Sequence, residues 1–141
     1  MLKTSILALG AMLVAVSPAG AHGAIAIGGN PANAETKGIA VGIVQNYGTE
    51  EEAESEALKK CLAFTGAPKK TVAHCRVVRS FEHEWVVVAL DPKPSTPGFG
   101  WSIDPDKAVA ERNAMDQCKV SSVEKRRAFC KVAGEMGDTK P

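Results

Sequence analysis

The sequence predicts an α+β fold of two pseudo-symmetric strand–strand–helix–strand (ββαβ) repeats, a mainly antiparallel sheet with two helices packed on it, stapled by disulfides. Three observations carry this. Thr49–Cys61, TEEEAESEALKKC, is echoed by Asp106–Cys118, DKAVAERNAMDQC, so that Ala53, Glu54, Ala57, Leu58 and Cys61 meet Ala110, Glu111, Ala114, Met115 and Cys118 at one constant offset. A second cysteine heads an apolar run after each copy, Cys75-Arg-Val-Val and Cys130-Lys-Val-Ala. Two strand-like apolar runs bounded by turn formers precede each copy. The period is too long and the copies too few for a solenoid, so two units bury their helices against a sheet. The strand order stays open.

The chain begins with a segment outside this scheme. Lys3, the apolar run Ile6–Val16, the break at Ser17-Pro18 and the small residues Ala19-Gly20-Ala21 form the pattern of a secretory signal peptide covering residues 1–21. The run is too short for a membrane span, which needs about 20 apolar residues. Residues 22–141 are then read as one domain, with repeat one at about 23–81, repeat two at about 84–133 and a flexible C-terminal tail.

His22–Gly28 is a short apolar run and reads as a buried strand. A loop rich in turn formers follows from Gly29 to Lys37. Gly38–Gln45 is the second strand, with Ile39, Val41 and Ile43 on one face and glycines suggesting close approach of another backbone. Thr49 opens the first helix with a capping box to Glu52, Glu50–Glu52 suit its positive end, and Lys59 and Lys60 suit its negative end. Ala53, Ala57, Leu58, Cys61 and Leu62 share its apolar face. Gly66–Lys70 is a loop, Cys75–Phe81 the third strand, and Phe81–Glu84 a turn.

The pattern then restarts. Trp85–Leu90 is the apolar strand matching Gly23–Gly28, Asp91–Pro97 a proline-rich loop, and Phe99–Ile103 a strand standing where Gly42–Asn46 stood. Asp104-Pro105 supplies an N-cap and a preset first residue, Ala108–Cys118 is the second helix, and Val120–Arg127 a loop. Ala128–Ala133 is the last strand, with a frayed tail from Gly134.

Four cysteines in an exported chain read as two disulfides, for which three pairings exist. Cys61–Cys75 with Cys118–Cys130 joins equivalent points of each repeat. No ligand pairs two to four residues apart favour a zinc site.

The repeated Gly-Ala-Ile-Ala strand, the A-x3-A-L-x2-C helix and the C-x-V-V strand resemble a bacterial exported family known as domain of unknown function 4189. The resemblance covers Gly23 to about Val132. It implies a small, exported, disulfide-rich protein with no agreed activity. It also implies a further cysteine pair, before the third apolar run and at the C-terminus, which this chain lacks. The family's tryptophan before Gly-Ala-Ile-Ala is His22 here, which suggests packing at the strand start.

Charge and chemistry narrow the function. Of 17 basic and 16 acidic residues, Lys3 lies in the leader, so the remainder is formally neutral. Nothing there calls for a nucleic acid or an anionic membrane as partner, nor for stable membrane insertion after cleavage. Lys69-Lys70 and Lys125-Arg126-Arg127 read as solvated loop charge. No nucleophile elbow or phosphate-binding loop is present, and Glu82-His83-Glu84 reads as a polar turn. An amino-terminal His22 offers a weak copper site if His74 or His83 lies near. Tyr47, Phe99 and Trp101 are the candidate binding surface, weighed against a place in the core. The expectation is a secreted or periplasmic binding module without catalysis or cofactor, of inhibitor or immunity type, partnered by another exported protein. The alternative is a copper protein, or an enzyme of unknown class using His22, His74 and His83.

Overall fold

A computed structural model of the protein describes residues 20–30, 38–93 and 98–137. Almost all of the expected leader, part of both long loops and residues 138–141 lie outside these. Strand β1 (His22–Gly28) leads to β2 (Ala40–Tyr47), helix α1 (Glu50–Leu62), a single turn α2 (Lys69–Val72) and β3 (Arg76–Glu82). The order recurs as β4 (Trp85–Leu90), β5 (Phe99–Asp104), α3 (Lys107–Ser121), a 3-10 helix (Glu124–Phe129) and β6 (Lys131–Gly137).

Each repeat makes its own three-stranded antiparallel sheet, ordered β2-β1-β3 and β5-β4-β6, with the repeat's first strand at the centre. One sheet carrying two helices is therefore corrected to two sheets packed face to face. The cause lies in the central strands, which are apolar on both sides. Ala24 and Ala26 pack with Ala53, Ala57 and Cys61 beneath α1. Ile25 and Ile27 point the other way, into a cluster with Val86, Val88, Phe99 and Ile103 of the second sheet. Val87 and Ala89 then meet Ala110, Ala114 and Cys118 of α3. A strand buried on both faces needs a covering layer on each. The order of layers is α1, sheet, sheet, α3, with small residues under the helices and branched ones between the sheets.

These faces correct the alignment of the repeats. Ala24 corresponds to Val87 and Ile25 to Val88, so Trp85 stands opposite His22 in the scheme, one residue from the expected match with Gly23. Gly100, not Phe99, corresponds to Gly42. A Cβ added at Gly42 would stand 2.2 Å from the Ala57 carbonyl oxygen, and one at Gly100 would stand 2.2 Å from that of Ala114. The backbone approach expected at Gly42 is that of α1, and α3 repeats it.

Both helices are capped by side chains. Thr49 Oγ1 accepts from the Glu52 N–H at 3.2 Å, as the capping box requires. For α3 the cap is Asp106, whose Oδ1 accepts from Ala108 N–H at 2.8 Å and Val109 N–H at 3.2 Å. The expected cap, Asp104, instead accepts from the Asp106 N–H at 2.8 Å and shapes the preceding turn. Thr49→Ala and Asp106→Ala should each cost about 1 kcal/mol in urea unfolding followed by circular dichroism. An Asp104→Ala variant that cost more than Asp106→Ala would contradict this assignment.

Four connections differ from expectation. Lys69–Val72 is a helical turn, anchored by Pro68 carbonyl bonds to Thr71 and Val72 N–H, rather than a loop. β3 keeps Phe81, buried between the sheets, and runs on to Glu82, so the expected turn Phe81–Glu84 shortens to His83-Glu84, with His83 at φ 54°. Val120–Arg127 is mostly helical, split between the end of α3 and the 3-10 helix. Gly134–Gly137 is no frayed tail but the second half of β6, paired with Trp85–Val88. Lys107 Nζ donates to Glu135 at 2.8 Å, and an added Cβ at Gly137 would enter the Trp85 ring at 2.2 Å. The end of β6 is clamped under that indole.

Both expected disulfides are present. Cys61–Cys75 and Cys118–Cys130 span Cα–Cα distances of 5.9 and 6.0 Å, each tying the last part of a helix to the start of the following strand.

Candidate functional site

The inner face at β2 is only partly covered. Ile39, Val41 and Ile43 pack against the inter-sheet cluster yet stay only half-buried. Beside them lies a hollow of about 390 Å³, floored by Val88, Leu90 and Phe99 and walled by Phe64, Ala133 and Gly134. A second hollow of about 420 Å³ shares Val41, Ile43 and Phe64 and continues past Lys60 and Thr65 to Met136. Together they form an apolar groove along the outer edge of β2. Its width follows from sequence: β6 brings Ala133 and Gly134 to the wall, where a Cβ on Gly134 would touch nothing within 4 Å.

The residues expected to form a binding surface fall in two places. Phe99, 5% exposed, and the half-buried Trp101 both belong to the inter-sheet cluster, and Phe99 alone of the three lines the groove. The Trp101 N–H donates to Gln117 Oε1 at 3.2 Å. Tyr47 packs instead on the α1 side of its sheet and borders a hollow with Glu51, Glu52, Glu56 and Lys59. There Glu56 holds the Lys59 ammonium by hydrogen bond and charge, raising its pKa.

The histidines separate as well. His22 and His83 lie on either side of Glu82, with His22 Nδ1 at 3.9 Å and His83 Nε2 at 3.6 Å from its carboxylate oxygens. His74 sits beyond the opposite end of β3. Among the described residues no group of three or more His, Cys, Asp or Glu could hold a metal ion. All four cysteines are bonded, so no thiol is available as a nucleophile.

Two features escaped the sequence reading. Asp91, its side chain fully buried, takes a bidentate pair from Arg126, Nε to Oδ2 at 2.7 Å and Nη2 to Oδ1 at 2.6 Å. Arg126 is thus a structural partner and not solvated loop charge. Its hydrogen bond to Asp91, with their mutual charge, raises the guanidinium pKa further, and the guanidinium carbon lies 4.0 Å over the Phe129 ring. The second feature is Phe64, an aromatic 37% exposed just past the end of α1. An aromatic stranded after a helix terminus was the available signal.

No described helix is long and apolar enough to cross a membrane. A family model described as a domain of unknown function (DUF4189) matches residues 22–136. No curated protein and no solved structure matches the chain.

Proposed function

Because the chain belongs to the family described as a domain of unknown function (DUF4189), a description that assigns no activity, we propose from the molecule itself that it is a non-catalytic binding module. It works in an oxidising compartment, the periplasm or the medium, and holds another exported protein. The observation that carries this reading is the half-open apolar groove between the sheets. Groups such as Val41, Ile43 and Phe64 line it while remaining partly in water. Apolar surface held in a shaped concavity is what a recognition site offers. Disulfides that persist outside the cytoplasm agree with that compartment.

The test is a photo-crosslinking amino acid placed at Phe64, with Arg112 on the exposed side of α3 as control. In cells exporting the protein, position 64 should give one discrete adduct and position 112 none. Excess wild-type protein should compete for that adduct, and a Val41→Asp variant should not. Equal labelling from both positions would sink the proposal.

A further inference from the structure

We propose that the outer edge of β2, unpaired among the described residues, takes up an extended segment of the partner as an added strand, whose alternate apolar side chains enter the groove. This rests on the binding-module reading and specifies what is bound.

The direction of the edge follows from one bond. Lys60 Nζ donates to the Ile43 carbonyl oxygen at 3.0 Å, so the backbone groups of Ile43 point away from β1. The register Ile25–Ile43, Ala26–Gly42, Ile27–Val41 is regular. Strand backbone groups alternate with period two, so the N–H and C=O of Val41 point outward too. Neither Val41 group has a partner among the described residues, and the outward N–H of Ile43 has none either.

The second repeat shows the same edge closed. On β5, the strand equivalent to β2, Ser121 Oγ accepts from the Phe99 N–H at 2.9 Å and donates to the Phe99 carbonyl at 3.0 Å. Gln117 Oε1 accepts from the Trp101 N–H. Val41 corresponds to Phe99 and Ile43 to Trp101. Helix α3 therefore supplies, from its own side chains, partners for three groups on the outer edge of β5, the Phe99 N–H and C=O and the Trp101 N–H. In the first repeat Lys60 stands at the position of Gln117 and has only donors. Phe64, at the offset of Ser121, has no hydrogen-bonding side chain at all. No described residue supplies the donor and acceptor that match Val41; a second extended backbone presents both, alternating along a line. Pairing to an exposed edge with pockets for alternate side chains is an established mode of peptide recognition. The groove beside β2 provides those pockets.

The opposing idea is that Lys60 guards the edge against any pairing, a common use of lysine on edge strands. The probe that separates the two is a capped nonapeptide alternating valine with threonine and lysine, titrated into the oxidised protein with amide NMR detection. The Val41 and Ile43 amides should shift and gain exchange protection, with little change on β5. The same peptide N-methylated along one edge should not bind. Val41→Pro should weaken binding about tenfold, the order expected for one lost hydrogen bond. Proline is tolerated there because the N–H it removes faces outward, and unchanged melting would confirm an intact fold. Lys60→Gln should weaken binding too, by closing the Ile43 N–H as Gln117 closes that of Trp101. No binding at millimolar peptide, or binding that leaves β2 amides unmoved, would overturn strand addition. The adduct from position 64 would then decide the binding-module reading separately. A dimer in sedimentation that Val41→Pro dissolves would make a second copy the occupant and likewise overturn the proposal.

Discussion

Gly42→Ala and Gly100→Ala are each expected to lower the unfolding free energy by about 3 kcal/mol, the upper end of ordinary overpacking. At both sites the new methyl meets backbone rather than a side chain that can rotate away. Besides the carbonyl oxygens 2.2 Å off, it would stand 2.5 Å from the Cys61 nitrogen at Gly42 and 2.6 Å from the Cys118 nitrogen at Gly100. Each helix would have to lift from its sheet. It cannot lift freely, because the nearby cysteine is bonded to the next strand. Gly134→Ala is the control, since its Cβ would meet nothing within 4 Å. There the loss of unfolded-state freedom should dominate and stabilise by about 0.5 kcal/mol. Urea unfolding of the three oxidised variants measures all of this. Equal effects at Gly42 and Gly134 would show that the helices do not sit on their sheets as described.

The contrast explains which parts of the fold could be read from sequence. Helix α1 was legible because Thr49, the acidic first turn and the alanine stripe ending in cysteine are local signals that agree with one another, and α3 because it repeats that stripe. Their repetition then made the disulfide pairing legible, since Cys61 and Cys118 occupy the same point of the motif. The division into two sheets was less so. Ala24-Ile25-Ala26-Ile27 does alternate, small against large, but both kinds are apolar, and hydropathy alone does not say that two different layers are being met. The second copy hides the alternation, because Val86, Val87 and Val88 are identical while facing opposite ways. That is how the match slipped by one residue. The last strand was lost for another reason: Gly134 and Gly137 read as loop formers, whereas the Trp85 ring and the Glu135–Lys107 bond hold them in β6.

The groove was illegible in principle. It depends on what α1 and α3 present to the outer edges of β2 and β5, which requires the strand order. Once Gly42 and Gly100 are superposed, the difference is a matter of two positions, Lys60 against Gln117 and Phe64 against Ser121. Among the described residues α3 meets three groups on the β5 edge, whereas α1 meets only the Ile43 carbonyl on the β2 edge. The aromatics that stood out, Phe99 and Trp101, serve chiefly to fill the space between the sheets, with Phe99 forming part of the groove floor.

Reduction of both bridges should leave the protein largely unfolded at room temperature. Sequence separations of 14 and 12 residues correspond to about 3 kcal/mol each on the chain-entropy account. Their sum rivals the whole stability of a domain this size, about 5–15 kcal/mol. The helices have little else to hold them. Ala53 and Ala57 under α1, and Ala110 and Ala114 under α3, bury fully but contribute small areas, and hydrophobic gain scales with area. Close approach, made possible by Gly42 and Gly100, thus reduces the apolar contact that a leucine-faced helix would have had, and the sulfur bridges offset it. Two paired replacements, Cys61→Ala with Cys75→Ala and Cys118→Ala with Cys130→Ala, should each lower stability by about 3 kcal/mol. Alanine avoids burying an unpaired hydroxyl in either site. Under limiting reductant the first bridge should open before the second. Cys75 is half-buried, whereas Cys130 is 7% exposed and lies 3.4 Å from the buried Ser122 hydroxyl, and exchange rates follow access to sulfur. Thermal melts with and without reductant, and mass mapping of the partly reduced protein, provide the measurements. A reduced protein that still melted cooperatively within a few degrees of the oxidised one would mean that the sheet–sheet core alone carries the fold.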